Sequence, residues 1–138
     1  MTDKPLFWEK VTLTLLIAFL FVQVSGQLGI FTCGVNAYIV VSSFDVYTHA
    51  LGAAVFGAVL LHFISLPGRL DRLWRAWIPF QVAVIGALWE LVELIIVWFG
   101  LMTPTQMWAT IENSVQDIFI DLLGACTISF LYEVIMEK

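Results

Sequence analysis

Three pairs of polar residues carry the chemistry this sequence offers. Asp45 and His49 stand four apart, Glu90 and Glu93 three apart, and Asp117 and Asp121 four apart, with Asn113 one turn before Asp117. On a helix, residues three or four apart share a face. If the three faces converge, they gather five carboxylates and one imidazole. Oxygen ligands in that number suit Mg²⁺, Ca²⁺ or Mn²⁺, and one His widens the range to Zn²⁺ or Fe²⁺. His49, Glu90, Asp117 and Asp121 are the candidate metal ligands. Glu90, Glu93 and Asp45 are the candidates for catalytic work, Glu93 or Asp45 as general base. The pattern differs from the di-iron bundle code, which needs two Glu-x-x-His pairs. The chain offers no nucleophilic Ser/His motif and no Gly-rich phosphate loop.

The elements that must position these residues are apolar. Hydrophobic residues make up 61% of the 138-residue chain and charged ones 12%, with a mean hydropathy of +0.96. Soluble domains carry about 25% charged residues, so a lipid-facing, all-α fold is expected. A spanning helix needs roughly 20 mainly apolar residues. Val11–Phe31, Asp45–Leu66, Ile78–Gly100 and Ser114–Ile135 qualify, the first roughened by Gln23, Ser25 and Gln27 and the last by its two Asp. Residues 29–44 read as an outer loop or a short interfacial or re-entrant piece, with a fifth span as the minority alternative. The expected architecture is a single transmembrane domain over residues 1–138, a polytopic bundle of four helices.

Charge sets the expected orientation. Lys4 and Lys10 precede the first span, Arg69, Arg72 and Arg75 lie between the second and third, and Lys138 follows the fourth. Residues 29–44 and 101–113 contain no Lys or Arg. A four-helix topology therefore puts every basic residue on one side, and the positive-inside rule makes that side the cytoplasm, with both termini there. Pro67-Gly68 breaks the second span and Pro104 follows the third. Trp74 and Trp77 mark the inner interface, and Trp98 and Trp108 the outer one. At 1.5 Å per residue, Asp45 and His49 fall roughly 0–6 Å below the outer boundary, Asp117 and Asp121 roughly 5–10 Å, and Glu90 and Glu93 roughly 10–15 Å. These layers overlap, so the expected site opens outward. A charge at a helix centre costs about 2.5–3.5 kcal/mol on insertion scales, which calls for protonation or a compensating cation.

Plainer roles compete. Asp45 is a good N-cap, as are Asn113 and Ser114, and Glu90 and Glu93 could be neutral and hydrogen-bonded within the bundle. His62 follows Ala58 by one turn, a spacing that can seat a pigment or haem if the chain serves such a complex; a packed or interfacial His is the ordinary reading. Gly52, Ala53 and Gly57 suit close helix contact, as do Gly124 and Ala125. Glu9, Glu133 and Glu137 read as solvated at the inner interface. Cys33 and Cys126 are expected to stay unpaired, since they fall on separate segments. No cleavable signal peptide is evident. Six Lys plus Arg without a basic patch exclude a nucleic-acid partner.

Three stretches together resemble one group of proteins: Asp45-x-x-x-His49-x-x-Gly52, Trp89-Glu90-x-x-Glu93, and Asn113-Ser-Val-Gln116-Asp117-x-x-x-Asp121-Leu-Leu-Gly124-Ala125. The group is the YjdF-like and VanZ-like set of small multi-pass membrane proteins, and the resemblance covers roughly Asp45 to Ala125. It implies a bacterial or archaeal inner membrane, and VanZ-type relatives are linked to glycopeptide resistance. It strengthens the choice of site residues without naming a reaction.

Three functions are therefore carried forward. The preferred one is a divalent-metal site (Mg, Ca, Mn or Zn) that hydrolyses or transfers a group on a lipid or envelope precursor. The second is a non-catalytic subunit of a larger membrane assembly, partnered by other membrane subunits or by copies of itself. The third, a proton or cation conduit, is weaker, because the inner half of the third span offers only Gln81.

Overall fold

The computed structural model describes residues 4–30, 32–41, 43–65, 75–101 and 111–136. Pro67, Gly68, Arg69, Arg72, Trp74, Pro104, Trp108, Glu137 and Lys138 lie outside them. The described residues form helices only: α1 (Lys4–Gln27), the one-turn α2 (Ala37–Val40), α3 (Phe44–Ser65), α4 (Ile78–Trp98) and α5 (Ile111–Met136). Four of these are long and apolar enough to cross a membrane: Leu6–Gln27, Phe44–Phe63, Ile78–Trp98 and Asn113–Met136. The protein is an all-α, multi-pass membrane protein, and such helices imply a lipid bilayer around them.

Helix ends follow local chemistry. Helix α1 begins at Lys4 rather than Val11, because Lys and Glu are acceptable helix residues even where they spoil hydropathy. It stops at Gln27 because the chain turns at Gly29, whose φ is +65°; a Cβ there would meet the Val35 carbonyl oxygen at 2.5 Å. Two turns then lead into α2, where the Asn36 side chain accepts from the Tyr38 amide at 2.9 Å. Among the described residues of 29–44 there is thus only the four-residue α2 and no fifth span. Helix α4 carries Pro79 in its first turn, where a missing amide costs little, and ends before Gly100, whose φ is +67°. Helix α5 begins at Ile111, so Asn113 and Ser114 lie inside its first turn rather than at its cap, and Asn113 is freed for other bonds.

Helix α3 is central, packing on α5, α1 and α4, and α5 also packs on α4. Small residues let the backbones approach. A Cβ on Gly57 would meet Ile128 at 2.6 Å, and one on Gly124 would meet the Ala50 carbonyl oxygen at 2.5 Å. A Cβ on Gly52 would press the Phe19 ring of α1 at 3.2 Å. This is the close-contact packing expected of small residues in membrane helices.

The apolar core sits at one end, around Trp8, Leu61, Ile78, Val82, Ile128 and Tyr132. The Trp8 indole donates to the Ala58 carbonyl at 3.4 Å and meets the Tyr132 ring edge-on at 4.7 Å. Those contacts set the first turns of α1 beside the ends of α3 and α5. Lys10 and Arg75 therefore belong to the same end of the bundle. Polar residues gather at the other end. Large apolar side chains elsewhere face outward, among them Ile17 and Phe21 on α1 and Leu88 and Trp89 on α4.

Candidate functional site

The three polar stripes converge on His49. Its Nε2 lies 3.5 Å from Glu90 Oε1, 3.8 Å from Asp45 Oδ1 and 4.0 Å from Asp117 Oδ2. Its Nδ1 lies 3.2 Å from Asp121 Oδ1. One imidazole thus addresses carboxylates from α3, α4 and α5. Asn113 ties two of them together, donating to Asp117 Oδ2 at 2.5 Å and Asp45 Oδ2 at 3.3 Å. Asp117, Glu90 and Asp121 are buried, at 1%, 3% and 5% exposure, where an unpaired charge is costly. Glu90 Oε1, Asp117 Oδ1 and the Ser114 hydroxyl are buried without a hydrogen-bond partner among the described residues.

Helical periodicity builds each stripe, and a glycine lets two of them meet. Gly86 precedes Glu90 by one turn, so both look toward α5. A Cβ on Gly86 would stand 1.9 Å from Asp121 Oδ2. The bare backbone is the space into which the Asp121 carboxylate fits while its other oxygen reaches His49. Nothing in the sequence marked Gly86, since a helical glycine can serve any close contact.

Glu93 stands apart from this inner ring. It is half-buried, and the Trp89 indole donates to its Oε1 at 2.7 Å, although Trp89 itself is exposed. Tyr38, carried by α2, is a further residue of this end of the bundle. Its hydroxyl donates to Gln23 of α1, and its ring meets Phe44 edge-on at 4.8 Å. Burial raises the phenol pKa above its ordinary 10.0, the Asp45 and Glu93 carboxylates raise it further, and polar contacts with Thr48 and Gln23 pull the other way. Thr48 in turn donates to the Asp45 carbonyl at 2.8 Å. Tyr38 escaped notice in the sequence because an irregular segment has no period from which to read a face.

The remaining candidates lie elsewhere. His62 is half-buried on the far side of Ala58 from the cluster, edge-on to its neighbour Phe63 at 5.7 Å. Cys33 and Cys126 are free and exposed. Glu133 is half-buried rather than solvated and lines a separate cavity with Arg75.

Chemically, part of the cluster could hold a metal ion. Asp45, His49 and Asp117 each offer a ligand atom, all within 4.8 Å of one another. Asp45, weighed in the sequence as a base or a cap, is one of the three residues that could hold an ion. Helices α3, α4 and α5 contain no Lys or Arg to neutralise these acids.

Sequence comparison places the chain in a family but assigns it no activity. The family described as "Predicted membrane protein (DUF2238)" matches residues 6–138, nearly the whole chain, and the chain belongs to it. No curated protein and no solved structure matches the chain.

Proposed function

We propose that this member of the DUF2238 family holds a divalent cation between His49 Nε2 and the carboxylates of Asp45, Glu90 and Asp117, and uses it to hydrolyse or transfer a group on a lipid or envelope precursor. The observation that carries this reading is the nitrogen facing three carboxylates, with two buried oxygens unpartnered. Ligands about 2.1 Å from a tetrahedral ion stand roughly 3.4 Å apart, and larger oxygen-bound ions spread them further. The His49 nitrogen stands 3.5–4.0 Å from the three carboxylates, and the ligand atoms of Asp45, His49 and Asp117 all lie within 4.8 Å of one another, separations that an oxygen-bound ion would draw in. Asp121, on the opposite ring nitrogen, orients the imidazole instead of ligating, as carboxylates behind ligating histidines do. Mg²⁺, Ca²⁺, Mn²⁺ and Zn²⁺ all suit the donor set.

A cation so held would polarise a phosphoryl or acyl oxygen of the substrate. Glu93, nearer the surface and steadied by Trp89, serves as the base that takes a proton from the attacking water. The water oxygen bonds to the phosphorus or acyl carbon, the bond to the leaving group breaks, and the leaving group takes up a proton. Positive-inside orientation puts the Lys10 and Arg75 end in the cytoplasm, so the site opens outward in a bacterial or archaeal inner membrane. The likeness to YjdF-like and VanZ-like proteins rests on the three motifs alone and supports the choice of these residues.

Release of phosphate from a lipid-linked phosphate ester, with the protein in vesicles supplied with Mn²⁺, tests the reading. Turnover should need the divalent ion, and Glu90→Gln should lower it by about 10–100-fold or more, the scale on which a metal site weakens when even an outer partner of its ligands is lost, while the thermal melt holds. Turnover indifferent to chelator and to Glu90→Gln would sink it.

The competing reading is an accessory subunit whose cluster only seals the bundle. It draws on α1, where Leu13, Ile17, Leu20, Phe21 and Val24 are all exposed and could meet a neighbouring helix as readily as lipid. It expects co-purifying subunits and an assembly untouched by Glu90→Gln.

A further inference from the structure

On α5, Ser114, Asp117 and Asp121 are buried, at 7%, 1% and 5% exposure, while Val115 and Gln116 are exposed. Ser114 therefore points into the bundle with the two acids. It stands three residues outward of Asp117, a rise of about 4.5 Å. Its neighbour Asn113 donates to Asp45 Oδ2 and Asp117 Oδ2, which holds this turn of α5 against the start of α3. Asn113 thus takes one oxygen of Asp117. The other, Asp117 Oδ1, is buried without a partner among the described residues, as are Glu90 Oε1 and the Ser114 hydroxyl. Few buried polar atoms in native structures go unpartnered. The two carboxylates could be relieved by taking up protons. A hydroxyl has no such route. Ser114 could donate to a nearby acid and does not, so its oxygen is left to accept or to ligate.

A neutral hydroxyl is a hard oxygen ligand. Cations that gather six or more oxygens use such groups. Zn²⁺ closes a tetrahedron with imidazole and carboxylates and has no use for a fifth ligand. Raw affinity favours Zn²⁺ over Mn²⁺ at most sites, so discrimination comes from ligand type and geometry. One imidazole among the donors sets Mn²⁺ ahead of Mg²⁺ and Ca²⁺, whose partners are oxygens. We propose that the Ser114 hydroxyl is a further ligand of the cation, and that with His49, Asp45, Glu90 and Asp117 it makes a cage for six-coordinate Mn²⁺. The sixth position is then left for water or a substrate oxygen. The proposal rests on the His49 cluster being a cation site, and adds the residue that decides which cation.

Isothermal titration of the detergent-purified full chain with Mn²⁺ and, separately, with Zn²⁺ tests it. Ser114→Ala should weaken Mn²⁺ binding about tenfold or more, since losing even an outer partner of a ligand costs about 10–100-fold. Its Zn²⁺ affinity should stay at the wild-type value. Without metal, Ser114→Ala should melt no lower than wild type, because it removes an unpartnered buried hydroxyl and adds helix propensity. Ser114→Cys should lose Mn²⁺ as well and gain Cd²⁺, a thiolate-seeking ion. That gain reads as ultraviolet thiolate-to-cadmium absorbance beyond what the free, exposed Cys33 and Cys126 of wild type give. A Ser114→Ala protein that binds Mn²⁺ as tightly as wild type overturns the hydroxyl's role and leaves the cation site standing. Equal losses of Mn²⁺ and Zn²⁺ do the same, because the hydroxyl would then be structural. Should Ser114→Ala prove too unstable to purify, Ser114→Cys decides alone, and no gain in cadmium absorbance overturns the proposal. Wild type that binds neither Mn²⁺ nor Zn²⁺ overturns the cation site itself, and this proposal with it.

Discussion

Replacing Gly86 by Ala probes the one place where a missing side chain shapes the cluster. The new methyl would arrive 1.9 Å from Asp121 Oδ2, where ordinary contact begins at 3.4 Å, so the carboxylate must retreat by about 1.5 Å. Its bond to His49 Nδ1, now 3.2 Å, cannot survive a shift of that size. Overpacking costs about 1–3 kcal/mol, and the lost hydrogen bond about 1–3 kcal/mol where its partner stays buried. Alanine returns about 0.5–1 kcal/mol of helix propensity. The net loss is therefore about 1–5 kcal/mol, so a melting curve that establishes folding precedes the binding measurement. The imidazole would lose the group that aims Nε2 at Asp45, Glu90 and Asp117. Loss of such an orienting partner typically lowers metal affinity by about 10–100-fold. Isothermal titration of the detergent-purified protein with Mn²⁺ reads this directly. Gly52→Ala is the control, because its methyl meets only the Phe19 ring and at 3.2 Å; its affinity should match wild type. A folded Gly86→Ala protein that binds Mn²⁺ as tightly as wild type would refute the role given to Asp121.

Two further outcomes follow from the two ends of the bundle. Trp8→Ala removes the indole bond to Ala58 and the ring contact with Tyr132, and should cost about 3–5 kcal/mol, read as a lower melting temperature in detergent; an unchanged melt would mean that α1 is not anchored there. Tyr38 has a raised pKa, so the folded state favours its neutral phenol. Its stabilising contribution is intact below pH 10 and lost as pH climbs through the raised value. Tyrosinate absorbance that Tyr38→Phe removes should appear above pH 10, and a midpoint at or below 10 would contradict the burial of this ring.

Much of this arrangement was readable because helices impose a period. Spacings of three and four put Asp45 with His49 and Asp117 with Asp121 on common faces, and Lys10 and Arg75 fell at one end of the bundle. The division of labour around the imidazole was not readable. Which nitrogen meets Asp121 and which meets Asp45, Glu90 and Asp117 depends on ring orientation, which tertiary packing sets. The bond from the Trp89 indole to Glu93 was not readable either, because rotamers decide whether side chains one turn apart meet. Helix starts were misplaced where polarity was read as an ending: Lys4 and Lys10 lie within α1, and Asn113 within α5. Hydropathy reports the bilayer, and a helix can extend beyond it.

The most direct test of the account is the metal content of the purified protein. Wild type, extracted in mild detergent and passed through a sizing column after exposure to Mn²⁺ or Zn²⁺, should carry stoichiometric ion on its own peak. His49→Ala should carry almost none while eluting at the same volume. Wild type that emerges without bound metal, or His49→Ala that retains it fully, would contradict the claim that this cluster exists to hold a cation.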